Sequence, residues 1–112
     1  MKKVEIITRP DKLNGLKELL TAHNCQGMTV STVMGCGKQR GYVAEMNLPE
    51  LTINLLPKIF VMTVIEDREL DNVLTDIYEV LGTGTVGDGK VFVYDVVEVM
   101  RIRTGERGEK AL

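Results

Sequence analysis

Residues 2–9 (Lys-Lys-Val-Glu-Ile-Ile-Thr-Arg) are rich in β-branched side chains and predict a strand, which Pro10 and Asp11 close. Over residues 12–23, Leu13, Leu16, Leu19 and Leu20 recur at helical spacing with Lys17 and Glu18 between them, and His23-Asn24 ends the helix. Residues 27–35 place Met28, Val30, Val33 and Met34 among threonine and serine, a second strand. The clearest strand is 58–66 (Lys-Ile-Phe-Val-Met-Thr-Val-Ile-Glu). Leu70, Val73, Leu74, Ile77, Tyr78 and Leu81 then form one stripe of a helix over 67–81. A glycine-rich loop at 82–90 leads to a strand at 91–97, and a short strand at 99–103 precedes a polar tail.

Residues 36–56 break the pattern, holding Gly37, Gly41, Asn47 and Pro49 with no sustained period. A loop of about 20 residues inside a small domain is unusual and often functional. The two halves of the chain also echo each other. Ile6-Ile7-Thr8-Arg9-Pro10-Asp11-Lys12-Leu13 resembles Val64-Ile65-Glu66-Asp67-Arg68-Glu69-Leu70 in register and in helix entry. Two βαβ units joined by a long loop give an α+β, ferredoxin-like split βαβ fold (βαββαβ), one domain over 1–112. Two helices would cover one face of its sheet. The apolar residues left on the other face predict burial by self-association.

Composition narrows the function. A chain of 112 residues can bury a core unaided. With 44% hydrophobic residues it is too apolar for disorder, and a net charge of -2 leaves no basic footprint for nucleic acid. The absence of Trp and 4% aromatics also argue against base-stacking platforms, so no nucleic-acid partner is expected. No apolar run approaches the ~18 residues of a membrane span. Glu5 interrupts any leader-like stretch, so the expected location is cytoplasmic. Cys25 and Cys36 are too few for a disulfide scaffold, and with His23 as the sole histidine a zinc site lacks ligands. A nucleophilic Cys–His pair drawn from these three residues has no orienting third group, and a structural role is preferred.

Three segments have the chemistry of anion sites. Gly84-Thr85-Val86-Gly87-Asp88-Gly89-Lys90 matches seven positions of a P-loop, but Val91 replaces the Ser or Thr that would hold magnesium. The context, helix to strand, is also reversed. The segment reads equally as an anion-binding nest with a lysine or as a glycine-rich turn. Gly35-Cys36-Gly37-Lys38-Gln39-Arg40-Gly41 is spaced GxGxxxG with no helix after it, so a dinucleotide fold is excluded, and a cationic loop or a hinge remains. Arg101-Ile102-Arg103, read as strand, puts two guanidinium groups on one face, suited to a polyphosphate or to a solvated edge. These loops leave strand ends and can meet within the domain or across a subunit boundary.

Taken together, Thr83-Gly84-x-x-Gly87-Asp88-Gly89-Lys90-Val91-Phe92-Val93 and Arg101-Ile102-Arg103-Thr104-Gly105-Glu106 resemble the carboxyl-half signature of the PII nitrogen-regulatory signal proteins. Gly35-x-Gly37-Lys38-Gln39-x-Gly41 and Leu56-Pro57-Lys58 fit the same family, and the similarity spans essentially the whole chain. The resemblance implies a homotrimer that binds ATP and ADP competitively in clefts between subunits, with 2-oxoglutarate beside Mg-ATP. Residues 37–55 would be the T-loop that docks on a target protein, 82–90 the B-loop and 99–112 the C-terminal loop. Phosphates would be held by Lys90, Arg101 and Arg103 with Gly37, Gly87 and Gly89. Gly35, Cys36, Lys38 and Asp88 would join that nucleotide site, and Thr29 and Val64 would border the adenine. Gln39 would ligate Mg2+, and 2-oxoglutarate would contact Gly37, Gln39, Arg40, Gly41, Lys58 and Gly87. The implied target is an ammonium transporter, a nitrogen-assimilation enzyme or nitrogenase, with membrane contact only through a transporter.

The chain also departs from the family pattern. Leu51 stands at the uridylylated tyrosine position, Pro49 replaces a serine that some relatives phosphorylate, and Asn47 replaces a channel-inserting arginine. Met62 stands where many relatives have glutamate, and Lys38 where many have arginine. Tyr42 lies in the same loop at a different place. A run at 104–109 and Gly37-Lys38-Gln39-Arg40-Gly41 are similar to the nitrogenase-associated branch. A non-enzymatic regulator is the leading expectation. A small phosphate hydrolase lacks an evident general base near the glycine loops apart from Asp88. An adenylate-only sensor and a purely structural oligomer complete the alternatives.

Overall fold

The computed structural model of the chain describes residues 1–36 and 55–112. The T-loop expected at 37–55 lies outside the described residues except for Leu55, as do Gly37, Lys38, Gln39, Arg40 and Gly41. Strand β1 (Lys2–Thr8) leads through a 3-10 turn (Pro10–Lys12) into helix α1 (Leu13–Ala22), then strand β2 (Thr29–Gly35). Strand β3 (Leu56–Ile65) leads through a 3-10 turn (Asp67–Glu69) into helix α2 (Leu70–Leu81), then strand β4 (Gly89–Asp95). A last 3-10 turn, Gly108–Ala111, closes the chain.

The internal echo is structural. Arg9 and Glu66 are both extended residues before a 3-10 turn, and Leu13 and Leu70 both open an α-helix. Helix α1 stops with a Schellman arrangement: Asn24 takes the left-handed conformation (φ 59°), and the Cys25 and Asn24 N–H groups donate to Leu20 and Thr21 carbonyls. His23, at the cap, is held by Asp76 of α2 at 2.6 Å and lies 3.6 Å from Glu69, tying the helices together.

The sheet order is β2-β3-β1-β4 with every neighbouring pair antiparallel, the ferredoxin-like topology expected from the sequence. Alternation sorts the strand residues. Val4, Ile6, Val61 and Ile65 point to the helices and pack against Leu16, Leu20, Val73 and Ile77. The buried hydroxyls on that face are paired: Thr63 donates to the Gly27 carbonyl and Thr8 to that of Asp88. On the opposite face, register aligns Glu5 with Met62 and Phe92, and Ile7 with Phe60 and Lys90. Phe92 and Tyr94 are more than two-fifths exposed there. Lys3 sits 4.6 Å from the Tyr94 ring centre, and the Glu5 carboxylate pushes the Tyr94 hydroxyl pKa up.

The strand expected at 99–103 does not form. Met100 makes a single antiparallel bridge with Arg107, and the Thr104 and Gly105 N–H groups donate back to the Arg101 carbonyl. Gly105 and Gly108 supply left-handed conformations (φ 72° and 75°) that a strand lacks. Arg101 and Arg103 therefore belong to a turn, and strand alternation does not place their guanidinium groups. Strand β4 likewise starts at Gly89 and ends at Asp95, two residues earlier at each end than the apolar run suggests.

Candidate functional site

The glycine loop between α2 and β4 is held from both sides. From within, the Asp88 carboxylate accepts hydrogen bonds from the Thr83 hydroxyl (2.5 Å), the Thr83 N–H (2.7 Å) and the Gly84 N–H (3.1 Å). Those bonds, the Thr83 hydroxyl first, lower the Asp88 pKa to about 2. From outside, Arg9 donates to the carbonyls of Gly87 (3.2 Å) and Val86 (2.8 Å) and to the Thr85 hydroxyl (3.2 Å). Lys58 also donates to the Gly87 carbonyl, at 2.9 Å. In a trans peptide the N–H points opposite to the preceding C=O, and the described residues contain no cis bond. Fixing the Val86 carbonyl on Arg9 and the Asp88 carbonyl on Thr8 thus aims the Gly87 and Gly89 N–H groups away from those residues. Left-handed Gly84, Gly87 and Gly89 make the path possible. At Gly89 a Cβ would lie 1.8 Å from the Ile7 carbonyl oxygen.

The loop is thus a preformed cradle, with Lys90 exposed at its edge. A cleft of about 620 Å³ runs beside it, lined by Tyr78, Thr83, Asp88 and Lys90 among others. Gly35, the last residue of β2, pairs with Leu56 at this same end of the sheet, next to exposed Cys36. Lys58 and Gly87, two residues implied for 2-oxoglutarate, are in direct contact. Arg9 was not singled out by the sequence. Its only local signal is a cation at a strand exit.

Thr29, Val64, Arg101 and Arg103 sit elsewhere. Val64 pairs with Lys3 and Thr29 with Met62, toward the end of the sheet where β4 finishes. Both line a second cavity of about 610 Å³, walled also by Cys25, Met62 and the C-terminal Ala111 and Leu112. The Arg101–Arg103 turn follows β4 on this side. Six residue steps of β4, at about 3.3 Å each, separate Gly89 from Asp95, so the glycine loop and the end of β4 that leads to the turn lie roughly 20 Å apart along the sheet. Within one chain these groups do not form one site.

Other chemistry is muted. Burial first, then the Glu69 carboxylate, raise the Cys25 pKa, which disfavours a thiolate, and His23 is occupied by Asp76. No group of three His, Cys, Asp or Glu suited to a metal occurs among the described residues. No helix among them is long and apolar enough to cross a membrane.

The fold and the loop define a ferredoxin-like domain with a glycine loop, held from both sides, at one end of its sheet and an arginine-bearing turn after β4. The chain belongs to the P-II family: the model described as "Nitrogen regulatory protein P-II" matches residues 1–106. It is 43% identical over 112 residues to the nitrogen regulatory protein P-II of Pasteurella multocida, covering all of both chains. It is 44% identical to the nitrogen regulatory protein P-II 2 of Methanothermobacter thermautotrophicus over the whole of this chain and 97% of that one. It is 41% identical to the nitrogen regulatory protein GlnK of Escherichia coli K12, again over the full length of both. The chain is therefore a nitrogen-regulatory signal protein.

Proposed function

We propose that the protein works as a cytoplasmic homotrimer that binds ATP or ADP between protomers, takes up 2-oxoglutarate beside Mg-ATP, and passes the signal to a target protein through residues 37–55. The observation that carries this reading is the separation of the implied nucleotide residues between the glycine loop and the Thr29–Val64 cavity at opposite ends of one sheet. In the assembly, the cradle of one protomer (Gly35, Cys36, Gly37, Lys38, Gly87, Asp88, Gly89 and Lys90) faces the Thr29, Val64, Arg101 and Arg103 side of the next. The apolar face bearing Phe60, Met62, Phe92 and Tyr94 is the surface that assembly covers.

Lys58 commits one of its three N–H donors to Gly87, leaving two for a carboxylate of 2-oxoglutarate beside the cradle. Gln39, Arg40 and Gly41 complete that pocket. The donor set suits magnesium carried by ligand oxygens: Mg2+ takes oxygens, usually phosphates and waters, and here gains one amide oxygen from Gln39. The ion would supply positive charge there for the nucleotide and the dicarboxylate. The hydrolase alternative is weakened at Asp88, whose carboxylate is engaged by the loop and whose pKa of about 2 suits a general base poorly near neutral pH.

The departures at Asn47, Pro49 and Leu51 leave the target among an ammonium transporter, a nitrogen-assimilation enzyme and nitrogenase. Calorimetric titration of 2-oxoglutarate with Mg-ATP, then with Mg-ADP, tests the sensor. Uptake with Mg-ATP alone is expected. Uptake in neither, with ATP still bound, would leave an adenylate-only sensor.

A further inference from the structure

His23 is the sole histidine of the chain, and the nucleotide reading gives it no part. It caps α1, its N–H donating to the Leu19 and Leu20 carbonyls, and only 15% of its side chain is exposed. Its Nε2 lies 2.6 Å from the Asp76 carboxylate of α2, and its Nδ1 3.6 Å from the Glu69 carboxylate in the turn before that helix. The last turn of α1 brings no charged side chain of its own. Beyond the ring, Arg68 is paired with Glu66, and the Cys25 thiol, its pKa raised by burial and then by Glu69, stays neutral.

His23 also opens the connector from α1 to β2. Residues 23–28 line the same cavity as Thr29 and Val64. Thr63 holds the far end of this connector, its hydroxyl donating to the Gly27 carbonyl at 2.7 Å, and the His23 ring holds the near end. A neutral imidazole has one N–H and no charge. The imidazolium has two N–H groups and a charge that attracts both carboxylates and suits the carbonyl end of α1. Histidine is the side chain that ordinarily changes between these forms near physiological pH.

We propose that His23 is a proton-operated staple: as the imidazolium it clamps the end of α1 to α2 and firms the connector as a wall of the base pocket, so that nucleotide binds more tightly at lower pH. This rests on the proposed nucleotide site. By reciprocity, bound nucleotide must then make the ring hold its proton more tightly.

NMR of the histidine ring through a pH titration, without and with saturating ADP, reads the coupling, and a sole histidine makes the signals unambiguous. ADP should raise the ring's midpoint by about 0.7 pH unit, the equivalent of a roughly fivefold gain in affinity. Calorimetry with ADP on the unmodified protein and on His23→Gln reads the same coupling from the other side. The ratio of the two affinities at one pH cancels the titration of the ligand's own phosphates. It should be roughly fivefold near pH 5.5 and close to one near pH 8.5, because a glutamine and a neutral ring both offer Asp76 an uncharged N–H. In ligand-free protein, Asp76→Asn should lower the ring's midpoint. A midpoint indifferent to ADP, an affinity ratio constant across pH, or a midpoint unmoved by Asp76→Asn would each overturn the proposal. If ADP binds at no pH, the nucleotide reading itself fails, and the Asp76→Asn titration still decides whether the ring's charge makes the staple.

Discussion

The Arg9 guanidinium reaches two carbonyls and a hydroxyl of the glycine loop, and by holding the Val86 carbonyl it turns the Gly87 N–H away from itself. Removing it leaves Lys58 as the outer tether. Arg9→Ala is therefore expected to weaken ATP binding roughly tenfold, measured by calorimetry, with Arg9→Lys recovering part. The inner tether sets a pH limit. The folded pKa of Asp88, about 2, lies below the unfolded value near 3.9. Its contribution is therefore full above about pH 4 and is lost as pH falls through about 2. Thr83 and Gly84 amide shifts should accordingly be flat from pH 5 to pH 8 in an NMR titration and move together near pH 2. Movement near neutrality would contradict this tether. Sequence marked Lys90 and the glycines because their residue types speak for themselves. Arg9 stayed silent because its partners lie 76 to 78 positions away along the chain.

Periodicity carried the helices well. Leu16 and Leu20 on α1, and Val73 and Ile77 on α2, are buried where the apolar stripes place them. Leu16→Ala should lower the unfolding free energy by about 2 to 5 kcal/mol in urea titration, since a fully buried leucine leaves a cavity between sheet and helix. Strand ends were less legible, because alternation continues past the last ladder bond: Val96 and Val97 extend the apolar run after β4 has ended at Asp95. The stretch 99–103 failed for a related reason. Valine, methionine and isoleucine there look strand-like, and the deciding signals, Gly105 and Gly108, lie beyond it. At the other end of β4, Gly89→Ala must push a Cβ into the Ile7 carbonyl at a left-handed φ of 111°. A loss of about 2 kcal/mol or more is expected, read as a clear drop in melting temperature.

For the whole molecule, the expectation of an apolar sheet face without helices followed from counting strands against helices, and only the register names the residues that form it. If the proposed trimer covers this face, Phe92→Glu should convert it to smaller species in sedimentation, because a charge directly opposite Glu5 on a covered face has no partner. Complementation tests the proposed sharing of the site between protomers. Lys90→Ala and Arg103→Ala protomers should each bind ATP poorly alone. Co-assembled, they should regain tight sites wherever an intact cradle meets an intact turn. No regain would argue against a site shared between protomers. The split of the site has a further consequence for supply. If each pocket exists only where two chains touch, the number of receptors depends on how much protein the cell makes as well as on its ligands. Dilution would erase pockets rather than empty them, nucleotide would glue the ring as it binds, and apparent affinity would rise with protein concentration. A second, related chain joining the ring could then retune the response by lending one half of a pocket.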